Sequence, residues 1–115
     1  MRVEYRAPDP SCNPYLAFSV MLAAGLKGIE NEYPVPPAVD GNVFVMTPEE
    51  RQSKGIRALP GSLGEALAIA DGSELLQEAL GEHILNSVMQ NKTMEWAEYR
   101  ATVTDYEISR YLPIL

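Results

Sequence analysis

Between Tyr15 and Leu26 the chain reads YLAFSVMLAAGL, apolar on almost every side, with Ser19 the only clearly polar side chain. Asn13-Pro14 stands immediately before it, an N-cap residue followed by proline at the first helical position, where a missing N–H costs nothing. The pattern predicts a helix without a polar face. A surface helix keeps one charged side, so this one belongs inside a protein. It is also too short for a bilayer, which takes about 20 apolar residues to cross. Whatever the chain folds into must cover this helix all round, and Ala17, Ala24, Gly25 and Gly28 let other backbones come close.

Ahead of the helix, Arg2-Val3-Glu4-Tyr5-Arg6 alternates charged and apolar residues strictly, which predicts a strand over 2–6. Residues two apart share a face of a strand, so Arg2, Glu4 and Arg6 point one way and Val3 and Tyr5 the other. A carboxylate between two guanidiniums stays ionised and suits a hard divalent cation, and each arginine can hold a phosphate or carboxylate bidentately. The same row also reads as a solvated strand face with two weak ion pairs. Ala7-Pro8-Asp9-Pro10 ends the strand, because proline lacks the ladder donor and restricts the residue before it.

Charge narrows the partners. With 16 acidic against 9 basic residues the chain carries −7, which argues against nucleic acid or anionic membrane, since both reward a basic surface. Cys12 is the one cysteine, so no intrachain disulfide and no thiolate cluster can form, and a reducing cytoplasm fits. Charge follows Met1 at once, and the sequence reads as one without a signal peptide or a membrane span. At 115 residues the chain is a single unit of ordinary domain size.

The rest is mainly helical. Pro34, Pro36 and Pro37 make 32–47 a proline-rich loop with an extended path, Asp40-Gly41 signals a turn, and Asn42–Met46 reads as a short strand or clip. Thr47-Pro48-Glu49-Glu50, Ser62-Leu63-Gly64-Glu65 and Thr104-Asp105-Tyr106-Glu107 are capping boxes that start helices, fading near Lys54-Gly55, Gly72 and Tyr111 respectively. Pro113 should stop the last one. Ser73 caps a helix that Gly81 breaks or bends, and His83 to about Arg100 carries a stripe through Ile84, Leu85, Val88 and Met89.

The order of these pieces resembles type I glutamine synthetases. The likeness runs through the charged strand R-V-E-Y-R, then P-D-P-S-C-N-P-Y-L-A and A-A-G-L-K-G-I-E-N, then N-V-F-V-M-T-P-E-E-R, A-L-G-E-H and T-D-Y-E-I-S-R-Y. It implies the helical C-terminal part of the family's catalytic domain, 1–115, with one active-site strand at 2–6, helices from about 14, and a fragment inactive by itself. By position in the family's strand, Arg2 contacts nucleotide phosphate, Glu4 ligates one of two divalent metals (Mg²⁺ or Mn²⁺), and Arg6 holds the carboxylate of substrate glutamate. The resemblance further implies ATP and ammonia as co-substrates, and a homo-oligomer, a dodecamer in the family. Some members carry an adenylylated tyrosine where this chain has Phe44, which offers no hydroxyl. A ligase joining glutamate to a polyamine or another amine would share the strand, and a non-catalytic helical interaction module from a truncated gene is the rival outside the enzymes. An isolated fragment should self-associate.

Two other residues bear chemistry. His83 has no second ligand at helical spacing and reads as structural. Cys12 precedes a helix N-terminus, where a thiol is acidified, yet a buried structural thiol is the favoured reading.

Overall fold

Asn13 acts as its position predicts. Its Oδ1 accepts from the amides of Tyr15 and Leu16 at 3.0 and 3.3 Å, and helix α1 runs Pro14–Glu30. A computed structural model of the chain describes residues 4–115. Helix α1 continues past Leu26 and both glycines, and stops where the Asn31 amide turns back to the Lys27 and Ile29 carbonyls. Four more helices follow: α2 Pro48–Ser53, α3 Leu63–Asp71, α4 Glu74–Ala101 and α5 Asp105–Tyr111. The described residues are therefore mainly helical, and none of them lies in a strand.

The caps explain where these helices begin. Thr47 and Glu50 form a reciprocal box, with Thr47 Oγ1 accepting from the Glu50 amide at 3.2 Å and Glu50 Oε2 accepting from the Thr47 amide at 2.7 Å. Thr104 and Glu107 repeat it at 3.3 and 2.8 Å. Ser62 makes only half a box. Its Oγ accepts from the Glu65 amide, but the Glu65 carboxylate reaches one residue further back, to the Gly61 amide at 2.8 Å.

Hydrogen bonds from the Thr104 backbone, then its hydroxyl, hold the Glu107 carboxyl below the ordinary glutamate range. A depressed folded value means that the cap contributes stability above the unfolded pKa, about 4.3, and loses it as pH falls through the lower folded value. We expect the Thr104 and Glu107 amide resonances to move together below about pH 4.3. In Thr104→Ala, which removes the hydroxyl and keeps the amide, the Glu107 carboxyl should stay depressed but less so than in the wild type. Identical titrations in both proteins would show that the hydroxyl contributes nothing.

Two expected elements differ. Asn42–Met46 is no strand: Val43–Val45 forms one 3₁₀ turn, because Asn42 Oδ1 accepts from the Phe44 amide at 3.0 Å and curls the backbone. Phe44 is 98% exposed and anchors nothing in this chain. Residues 4–6 carry no strand assignment either, since no described residue pairs with them in a ladder; 2 and 3 lie outside the described residues. Helix α5 ends at Tyr111 as expected, and Pro113 then sits in the first turn of a 3₁₀ segment, Leu112–Ile114, where proline is tolerated.

Helix α4 is the centre of the packing, with α1 and α3 both lying against it. Gly81 (φ 72°, ψ 160°) breaks α4 into two arms, the left-handed value being open to glycine at little cost. The half-buried stripe of the second arm is Leu85, Val88, Met89 and Trp96, while Ile84 falls outside it. Trp96 stacks on Tyr99 at 5.8 Å between ring centroids. Lys27 Nζ donates to Glu78 Oε2 at 2.8 Å and ties α1 to α4, and that hydrogen bond raises the lysine's pKa.

Gly64 shows why a poor helix former stands in the first turn of α3. A Cβ there would lie 2.5 Å from Trp96 Nε1, so the glycine lets α3 sit directly on the indole. Gly64→Ala would gain at most about 1 kcal/mol of helix propensity, against about 1–3 kcal/mol for overpacking. We expect Trp96 to be pushed toward water, with a red-shifted emission maximum. An unchanged spectrum with higher helicity would contradict this close approach.

No described residue is buried. The radius of gyration is 18.4 Å, where a compact chain of this length has about 13 Å. The helices form, but their apolar faces are only half covered.

Candidate active site

Residues 4–6 are delivered by a tight turn. Asp9 Oδ1 accepts from the Ser11 amide at 2.7 Å and the Asp9 carbonyl from the Cys12 amide at 3.0 Å, which reverses the chain into the N-cap of α1. Glu4 and Arg6 meet on one side, Arg6 Nε donating to Glu4 Oε1 at 2.6 Å. Tyr5 borders the opposite feature, an open and largely apolar groove of about 1,020 Å³ that also takes in Cys12, Leu16 and Val20 before reaching Leu80 and Val88 of α4.

Two of the three expected site residues are therefore brought together, and Arg2 lies outside the described residues. The Glu4–Arg6 pair is on the surface, with the arginine side chain 84% exposed, where such a contact is worth about 0–1 kcal/mol. It does not hold the fold together.

The sequence profile of the glutamine synthetase catalytic domain matches residues 1–111. The chain belongs to the glutamine synthetase family. It is 52% identical over 113 residues to a glutamine synthetase of Mycobacterium tuberculosis, covering 98% of this chain and 25% of that protein. Against the glutamine synthetase of Thermus thermophilus it is 50% identical over 111 residues, 96% of this chain and 25% of the relative. Against that of Methanosarcina mazei it is 48% identical over 114 residues, 99% and 26%. The chain thus spans about a quarter of the length of these relatives.

A divalent cation of glutamine synthetase chemistry can be tested against this donor set. Glu4 is a hard oxygen donor of the right kind. Yet no cluster of three or more His, Cys, Asp or Glu side chains gathers anywhere among the described residues. Glu4 fits as one ligand among several and cannot form the site with its neighbours here.

The remaining candidates separate plainly. His83 is exposed on α4, with no ligand set around it among the described residues. Cys12 is exposed rather than buried, because the Asp9 turn holds it at the open edge of the groove. Asp9 was silent in the sequence beyond its place between two prolines, and the Lys27–Glu78 tie joins residues too distant along the chain for any local pattern to signal. No helix of the described residues is long and apolar enough to cross a membrane.

Proposed function

We propose that this chain is the C-terminal part of the catalytic domain of an ATP-dependent glutamate–ammonia ligase, and that residues 2, 4 and 6 are its contribution to the active centre. In that reaction the side-chain carboxylate of glutamate takes the terminal phosphoryl group of ATP, and ammonia then displaces phosphate to leave glutamine. Arg2 steadies a nucleotide phosphate. Arg6 grips the carboxylate of substrate glutamate bidentately, and Glu4 supplies one oxygen ligand to one of two divalent cations, Mg²⁺ or Mn²⁺. Such cations, when bound, neutralise charge developing on the transferring phosphoryl group.

The observation that carries this reading is the family match across nearly the whole chain. The surface pairing of Glu4 and Arg6 supports it physically. Glu4 can trade the guanidinium for a cation while Arg6 trades Glu4 for the substrate carboxylate, so neither charge is left unpaired. Phe44 lacks the oxygen that an adenylyl group would need, so the complete enzyme escapes that modification at this position. It works in the cytoplasm as a homo-oligomer, as the family does.

The chain by itself should form no glutamine, because one carboxylate and two arginines cannot assemble a two-metal site. Phosphate release dependent on glutamate, ammonia and Mg²⁺ tests this. Turnover of the purified chain clearly above its Glu4→Ala variant would overturn the partial-site reading. Substituting the chain for the matched stretch of the Thermus thermophilus enzyme should keep glutamine formation. A folded but inactive chimera would overturn the active-site assignment.

A further inference from the structure

Helix α1 has two apolar sides, and among the described residues one of them faces α4 while the other stands largely exposed. Leu16, Ala17, Val20 and Met21 are half-buried and border the groove shared with α4. The other side carries Tyr15, Phe18, Leu22, Leu26 and Ile29, spaced three, four, four and three residues apart. At 3.6 residues per turn that spacing keeps all five within an arc of about 80° along about 21 Å of helix. Their exposures are 82, 66, 65, 49 and 76%. A soluble monomer rarely leaves an apolar stripe of this length uncovered, since patches beyond a few hundred Å² mark interaction surfaces.

We propose that this outer stripe of α1 is the docking face for the remaining polypeptide of a glutamine synthetase catalytic domain, and that the two associate even when supplied as separate chains. The relatives provide the occupant: about three-quarters of their length lies outside the stretch this chain matches. Charge favours the same occupant over a second copy. No acidic or basic residue interrupts the stripe between Tyr15 and Leu26, whereas a copy of this chain brings another −7 to the contact. The inference rests on family membership and not on the roles given to residues 2, 4 and 6.

The test is co-expression of this chain, affinity-tagged, with the part of the Thermus thermophilus glutamine synthetase that the match does not cover. The wild-type chain should capture that polypeptide. Phe18→Asp and Leu22→Asp should each reduce capture at least tenfold, with far-UV circular dichroism confirming that α1 still forms. Val35→Asp removes a still more exposed apolar side chain, 92% exposed and off the stripe, and should leave capture unchanged. No capture by the wild type overturns the proposal, and so does equal loss in Val35→Asp, which would mean nonspecific adhesion. Stripe variants that abolish only self-association and leave capture intact assign the face to a second copy, and also overturn it. Capture without glutamine formation leaves the docking face standing and counts against the catalytic roles of Glu4 and Arg6 instead.

Discussion

Glu4→Ala in a complete glutamine synthetase carrying this segment is expected to weaken metal binding and bring turnover close to zero. Losing a charge-assisted contact in a closed site costs about 1.5–3 kcal/mol, and a group that stabilises transition-state charge about 10²–10³ in kcat. Arg6→Ala should chiefly raise KM for glutamate, and Arg2→Ala should chiefly impair the use of ATP. In this chain the Glu4–Arg6 contact is exposed and worth about 0–1 kcal/mol, so the thermal stability of each variant is measured beside its kinetics. A loss of turnover with unchanged thermal stability therefore reports chemistry, whereas the solvated-face reading expects neither quantity to move. Near-normal kinetics in all three variants would return the segment to that plainer reading.

The elements legible in the sequence were those whose cause is local. Asn13, Thr47 and Thr104 cap helices because the acceptor and its amides lie within three residues of each other. Gly81 breaks α4 through its own backbone freedom. What was misread depends on partners far along the chain or outside it. A strand exists only through a ladder, and neither 4–6 nor 42–46 has one among the described residues. The second of these curls instead, because Asn42 supplies a nearer acceptor. Gly64 weakens the first turn of α3 by propensity, and the reason for it, Trp96 packed against it, lies 32 positions later. The site followed the same rule. Glu4 and Arg6 sit together because they are two residues apart, but the rest of a metal site would have to come from elsewhere.

The incomplete packing bears on the rival reading, an autonomous helical module. A self-standing domain of this size buries side chains, and this chain buries none among its described residues. The C-terminal stretch makes the point again. Helix α5 contacts chiefly the 3₁₀ turn that follows it, leaving Tyr106, Leu112 and Ile114 open to water. Helices with good caps and poor burial are what a segment of a larger domain should look like, since capping is local and burial is shared.

The isolated chain is accordingly expected to self-associate at micromolar concentration, with its helices from Pro14 onward still formed. Its accessible surface is 10378 Å², against about 6,200 Å² for a compact protein of 12.7 kDa, an excess of about 4,000 Å². Much of that excess is apolar, from Tyr15 and Phe18 on α1 to Tyr111 and Leu115 at the other end. Covering 400 Å² of apolar surface is worth about 10 kcal/mol at about 25 cal/mol per Å². Association costs about 4–15 kcal/mol in lost freedom, so a contact of twice that area already favours the oligomer. The net charge of −7 opposes this, but between separate chains it is screened beyond about 8 Å at physiological salt. Light scattering should therefore report a mass above that of the monomer, rising further as salt is added. A monodisperse monomer at every salt concentration, with slowly exchanging amides at residues 4–6, would show a chain that completes its own core and would restore the autonomous module.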